Sequence, residues 1–220
     1  MDRKEIKELA KSKIKGNLWN LLWPVLAIGA AEGILSTIFT PKGMATVDYT
    51  NLEATASMPK IPVGNAIILL IIGIIFGIAT IAYKKYVLNF ARNGKCDFKD
   101  ILDCMKEKWL NILLSEILVG ILVFLASLLF VIPGIILTFA YSMVTYLVID
   151  TNLSATDSMK KSREMMKGYK MDYFVFCLSF IGWGFLVPFT LGLLLIWLAP
   201  YMAVAEAIYY DKLKELKKIN

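Results

Sequence analysis

Three carboxylates lie within long apolar runs: Glu32, Glu116 and Glu206. An ionisable side chain at membrane depth is costly, which makes each a candidate for handling a substrate or a proton. No Lys or Arg is expected at their depth, and an unpaired carboxylate in a low-dielectric medium takes up a proton. Each must therefore be neutral and hydrogen-bonded, hydrated through a cavity, or close enough to a headgroup to stay charged. Glu116 and Glu206 lie a turn or two from the inner surface and suit the last case. Glu32 lies about fourteen residues into its run, nearer the outer leaflet. Tyr201 joins them because Pro200 precedes it. Pro200 removes a ladder bond in mid-span, so the helix kinks there, and a substrate cavity at the kink is the sharper reading. The alternative for all of these residues is structural: polar staples between helices.

A second set of candidates is basic. Lys11, Lys15, Lys84, Lys85, Lys108, Lys160, Lys161, Arg163 and Lys167 flank apolar runs, where ammonium and guanidinium groups meet anionic lipid headgroups. The net charge of +6 has the same origin, and nucleic-acid binding is not expected. Catalytic parts are scarce. The chain has no His, which removes His bases and His metal ligands. Its three cysteines, Cys96, Cys104 and Cys177, have neither disulfide arithmetic nor zinc spacing. No phosphate-binding glycine loop, nucleophile elbow or HExxH is present. The expectation is a protein that is not an enzyme, with no cofactor and no metal.

The elements that must carry these residues follow from hydropathy. The chain is 58% apolar with a mean hydropathy of +0.63, too apolar for an ordinary soluble domain of 220 residues. From Trp109 to Ile149 there is no Lys or Arg, and the only acid is Glu116. A helix of that length would extend about 60 Å, twice the roughly 30 Å of a hydrocarbon core. The stretch FVIPGIILTF (130–139) supplies the break, because Pro133 lacks an amide hydrogen and Gly134 accepts turn backbone angles. Pro188 to Gly192 splits the last apolar interval in the same way. Six spans result, at about 18–39, 63–85, 109–131, 134–150, 172–188 and 192–210. They predict an all-α polytopic membrane protein of three hairpins with amphipathic interfacial helices on the cytoplasmic face. As one membrane domain the chain divides into an N-terminal helix (1–17), hairpin 1 (18–85), a linker helix with hairpin 2 (86–150), a linker helix with hairpin 3 (151–211) and a tail (212–220). Of the 24 bases, 22 then fall on one side, and only Lys42 and Lys60 on the other. The positive-inside rule places both termini in the cytoplasm of a plasma-membrane protein. The charged, amphipathic opening is unlike a cleavable signal peptide.

Three basic segments have helical stripes: Ile6, Leu9, Ala10 and Ile14; Phe98, Ile101, Leu102, Met105 and Trp109; Ala155, Met159, Ser162, Met166 and Tyr169, with Ser154 and Asp157 as a capping pair. Such helices either lie in the membrane interface or pack on the bundle's own end. Each third of the chain also repeats one unit: basic helix, interfacial aromatic, span, turn, span. The entrances are KGNLW (15–19), KEKWLN (106–111) and KGYKMDYF (167–174), and the second spans align without gaps on Tyr83, Tyr141 and Tyr201. Gly29/Gly33 and Gly73/Gly77 form GxxxG pairs, read as internal helix contacts.

At SREMMKGYKMDYF (162–174), LSFIGWGFL (178–186) and LLIWLAPYMAVAEAIYYDKL (194–213) the chain resembles the DUF975 family of integral membrane proteins. The resemblance implies a bacterial plasma membrane, in a Gram-positive cell, and brings no catalytic residues or substrate. The layout is also similar to the membrane domain attached to some glycerophosphodiester phosphodiesterases, by architecture alone. Two functions are weighed. The first is a non-enzymatic membrane module that meets anionic lipids or a membrane-protein partner, in envelope stress or export of an amphipathic substrate. The second is a small transporter with a cavity near Glu32, Glu116 and Glu206.

Overall fold

Nine α-helices and one 3-10 turn occupy residues 2–40 and 62–218, the residues that the computed structural model describes, and no strand occurs among them. The expected polar outer connection, with Lys42 and Lys60, lies outside the described residues.

Helix α1 (Arg3–Ile14) starts on Asp2, whose carboxylate accepts the amide hydrogens of Lys4 at 2.9 Å and Glu5 at 3.3 Å. Those two bonds hold the Asp2 carboxyl below its ordinary range. Ile6, Ala10 and Ile14 recur every fourth residue and are buried, so the stripe packs against protein. Helices α2 (Leu18–Phe39), α3 (Val63–Asn93) and α4 (Lys99–Leu129) follow, then α5 (Val131–Ala140) and α6 (Val144–Asp150), which together make one span. Helix α7 (Ala155–Met165) is a connector, and α8 (Lys170–Gly184) and α9 (Leu193–Leu216) form the last pair. Among the described residues six elements are long and apolar enough to cross a membrane: Leu18–Phe39, Val63–Asn93, Lys99–Leu129, Val131–Asp150, Lys170–Thr190 and Leu193–Leu216. Being even in number, they bring α1, α7, the α3–α4 turn and the end of α9 to one end of the bundle, called here the basic end.

Several boundaries differ from expectation for identifiable reasons. The second entrance, KEKWLN, has Glu107 where the other two have Gly16 and Gly168. Those glycines adopt φ of +89° and +88°, and each ends a basic helix before its span begins. Without such a glycine the linker helix runs straight into the span, giving the 31 residues of α4. Hairpin 2 turns at Phe130, which is extended at φ −157° and ψ 145°, and not at Pro133-Gly134. Pro133 instead occupies the first turn of α5, where its missing amide hydrogen costs nothing. Gly134 serves close packing: a Cβ there would lie 2.0 Å from Ser127 Oγ and 3.0 Å from Ser127 Cα. Hairpin 3 turns where expected, through Pro188–Thr190, Leu191 at φ 49° and Gly192 at φ 83°. The GxxxG pairs do not make internal contacts, for a Cβ at Gly29, Gly33, Gly73 or Gly77 would meet nothing within 4 Å.

The packed core lies toward the basic end, where Tyr83–Ala91, Ala140–Ile149 and Leu198–Leu213 contribute most of the buried apolar residues. The opposite end presents Leu128, Phe130, Ile132, Phe189 and Leu191 outward. That is a surface suited to hydrocarbon rather than to water. Helices α8 and α9 are joined by rings rather than by close backbone contact. Tyr173 and Phe176 pack on Tyr209 at centroid distances of 5.0 and 4.9 Å, Phe180 on Tyr201 at 5.4 Å, and Trp183 on Trp197 at 6.1 Å.

Candidate functional site

The second spans of the three repeats, α3, α5/α6 and α9, converge at the basic end. Counting nine residues on from the aligned tyrosines Tyr83, Tyr141 and Tyr201 gives Arg92, Asp150 and Tyr210. Arg92 and Tyr210 both bond Asp150. Arg92 donates Nη1 to Asp150 Oδ1 at 2.5 Å and Nη2 to Oδ2 at 3.0 Å, a bidentate pair, and the Tyr210 hydroxyl donates to Oδ2 at 3.0 Å. Lys214 Nζ adds a bond at 2.9 Å, and Lys85 approaches to 3.8 Å. Arg92 also binds Asp211, through Nε at 3.0 Å and Nη2 at 2.6 Å. The Asp150 side chain is 4% exposed, so its charge is stabilised by these partners rather than by water.

Counting five residues on gives Leu88, Tyr146 and Glu206. Leu88 is fully buried, and Tyr146 donates to Glu206 Oε2 at 3.2 Å. Tyr173 donates to Oε1 at 2.8 Å, and Lys84 lies 3.7 Å away, above the Tyr146 ring. The arrangement joins α3, α6, α8 and α9 through one carboxylate.

The other carboxylates go elsewhere. Glu116 is exposed on α4 and accepts from Thr145 at 3.0 Å. Glu32, half-buried on α2, makes no hydrogen bond or ion pair to the described residues. Among the described residues Glu32, Glu116 and Glu206 share no bonding partner. Tyr201 is buried in an aromatic stack, 4.8 Å from Trp197, and α9 continues through a buried Pro200 without a break.

The nine basic candidates divide in two. Lys84 and Lys85 pair with Glu206 and Asp150, and Lys108 donates to the Thr151 carbonyl and to Asn152 Oδ1. Lys11, Lys15, Lys161, Arg163 and Lys167 make no ion pair among the described residues, and Lys160 pairs only with Asp157, three residues before it, at 3.5 Å. Lys160, Arg163, Glu164, Lys167 and Lys170 line an open cleft of about 470 Å³ between α7 and the start of α8. The opposite side of α7, with Ala155, Ser158, Met159, Ser162 and Met165, is buried against α4 and α6. Ser162 donates to the Ala140 carbonyl at 2.9 Å, which the break between α5 and α6 leaves without a helical partner.

Arg92, Asp150, Tyr210, Asp211 and Lys214 were not among the sequence candidates. The signal for them lies in the tyrosine register, which reaches Arg92, Asp150 and Tyr210 when extended by nine residues.

No curated protein and no solved structure matches the chain. The family described as protein of unknown function DUF975 matches residues 1–137 and 128–217, almost the entire length. An all-helical fold with six potential spans, built from repeats that meet at a shared charged cluster, is thus the form taken by this member, and the chain belongs to the DUF975 family.

Proposed function

We propose that the protein is a non-enzymatic, multi-pass module of a bacterial plasma membrane, with both termini cytoplasmic, whose basic end engages anionic lipid headgroups. One observation carries this reading: Asp150, Asp211, Glu206 and Asp172, the more buried acids of the basic end, are paired inside the fold, and bases outnumber acids among the charged side chains left outside those pairs. Asp150 and Asp211 hold Arg92, Lys85 and Lys214; Glu206 holds Lys84; Asp172 and Glu5 hold Arg3 and Lys212. Lys11, Lys15, Arg163 and Lys167 remain exposed beside the ends of potential spans. Juxtamembrane bases in such positions attract anionic lipid by about 1 kcal/mol each. Roles in envelope stress or in export of an amphipathic substrate are compatible with the same surface. The transporter alternative rested on three carboxylates sharing a cavity, and their separate surroundings remove that motive.

The test is the lipid that stays with the protein through mild detergent extraction. Anionic phospholipid is expected to be enriched over its share of the membrane, and replacing Lys11, Lys15, Arg163 and Lys167 by Gln should reduce the enrichment. A co-purifying lipid mixture identical to the bulk membrane would overturn the reading.

A further inference from the structure

The cleft between α7 and α8 is more specific than a diffuse basic surface. Resting on the headgroup reading above, we propose that it is a binding site for a lipid headgroup carrying two phosphates. Arg163, Lys167 and Lys170 are its anion ligands, and Lys160 stands at its rim.

The spacing comes first. Lys160, Arg163, Glu164 and Lys167 recur at three- and four-residue intervals and so occupy one side of the α7 turn. The buried stripe on the other side fixes that face in place, with the Ser162 bond to Ala140 as its pin. Like charges at this spacing repel and weaken a helix, so the pattern does not serve α7 itself. Two acids stand nearby: Glu164 lines the cleft, and Asp157 already holds Lys160. Arg163, Lys167 and Lys170 make no ion pair among the described residues, in contrast to the bases of the central cluster.

A fifth cation reinforces the field. Lys217, at the end of α9, donates to the Lys167 carbonyl at 3.0 Å and lies 5.1 Å above the Tyr169 ring. It ties down the turn through Gly168 that sets Lys167 beside Lys170, and it adds positive potential at the rim. Lys170 opens the potential span Lys170–Thr190, so the cleft lies where the chain enters the membrane, at headgroup level. Four lining bases against the single lining acid leave more charge than one phosphate monoanion neutralises, and about 470 Å³ is ample for two phosphates. A guanidinium among them suits the planar, two-point recognition that phosphate oxygens offer. Basic clefts between helix ends on the cytoplasmic side hold such headgroups generally.

Native mass spectrometry of the full-length protein, released from phosphatidylcholine nanodiscs doped with one anionic lipid, tests the assignment. Diphosphatidylglycerol, with two phosphates, should bind about tenfold more tightly than phosphatidylglycerol at equal phosphate concentration. Arg163→Gln, Lys167→Gln and Lys170→Gln combined should bring that ratio close to one, and Arg163→Lys, which keeps the charge but loses the two-point fork, should fall between the two. Lys11→Gln with Lys15→Gln should leave the ratio unchanged while lowering binding of both anionic lipids. Each Gln variant is also read singly, beside its melting temperature, so that a misfolded triple variant does not decide the matter. A wild-type ratio near one, with both anionic lipids still preferred to phosphatidylcholine, sinks the two-phosphate site and leaves the headgroup reading intact. A tenfold ratio that survives the triple substitution also overturns the proposal, since the site is then elsewhere. Free diphosphate that displaces bound diphosphatidylglycerol at equal concentration assigns the cleft to a soluble ligand and overturns the lipid source. Absence of any anionic preference removes both this site and the function on which it rests.

Discussion

Asp150 shows how much of the basic end depends on one side chain. It receives Arg92, Tyr210 and Lys214 directly and faces Lys85, yet is only 4% exposed. Replacing it by Asn leaves Arg92, Lys85 and Lys214 facing one another with Asp211 as the remaining acid of the cluster. Removing one partner of a fully buried ion pair typically costs about 3–5 kcal/mol, but Arg92, Lys85 and Lys214 keep 31%, 25% and 23% of their side chains exposed, so water offsets part of that cost. Asp150→Asn is therefore expected to lower the unfolding midpoint in nanodiscs, by less than the loss of a fully buried pair. Asp150→Leu combined with Arg92→Leu should cost less than the sum of the two single changes, by about 1 kcal/mol or more. Strict additivity would show that the pair is not coupled and that the cluster does not act as a unit. Glu206 has a softer role: Tyr173 donates to Oε1 and Tyr146 to Oε2, and with a glutamine one hydroxyl would still donate to the amide oxygen while the other would accept from its NH2 group.

At the scale of elements, the recurrent theme is a broken helix repaired by a neighbour. Pro24 lies inside α2 and has no amide hydrogen, so the Asn20 carbonyl four residues earlier has no helical donor. The Tyr86 hydroxyl of α3 supplies one at 2.5 Å, and Tyr83 donates to the Leu21 carbonyl beside it at 2.7 Å. Tyr86→Phe should cost about 1 kcal/mol of stability in the native sequence, the low end of the penalty for stranding an acceptor, since this bond is only partly buried. In a Pro24→Ala background the same change should cost clearly less, because residue 24 then provides the missing amide hydrogen. Equal penalties in the two backgrounds would mean that Tyr86 does not serve the carbonyl that Pro24 strands. Much of the element pattern was legible in the sequence. The hydropathy of the runs, Pro188–Gly192 and the stripes of α1 and α7 give the spans, a turn and two amphipathic connectors, while only the structure decides that the stripes pack on the bundle rather than lie in the interface. Long-range side-chain geometry was not. Gly134 and Pro133 read locally as a turn, and only the approach of Ser127 explains the glycine. The merger of linker and span in α4 turns on Glu107 replacing a glycine, a difference that gains meaning only once the repeats are compared. The site was half legible: nine bases were named, but hydropathy cannot separate those spent on Asp150 and Glu206 from those left outside.

At the scale of the whole molecule, orientation decides what the basic end can meet, and Cys96 reports it. Six potential spans place the α3–α4 turn at the same end as α1 and the end of α9. Cys96 lies in that turn and is half-buried, whereas Cys104 is buried and Cys177 belongs to a span. A chain carrying Cys104→Ser and Cys177→Ser thus has one usable thiol. If the basic end faces the cytoplasm, a membrane-impermeant maleimide should label Cys96 only after the cells are opened. The rate carries a second signature. Burial pushes the Cys96 thiol up from its ordinary range, so less thiolate exists at neutral pH than in a free cysteine. Labelling of opened membranes should be slower than that of a fully exposed thiol, and should rise about tenfold per pH unit until the thiol is titrated. Fast labelling in intact cells would put the lysines and arginines on the outer face, where the leaflet charge and the lipids available to the α7–α8 cleft are different.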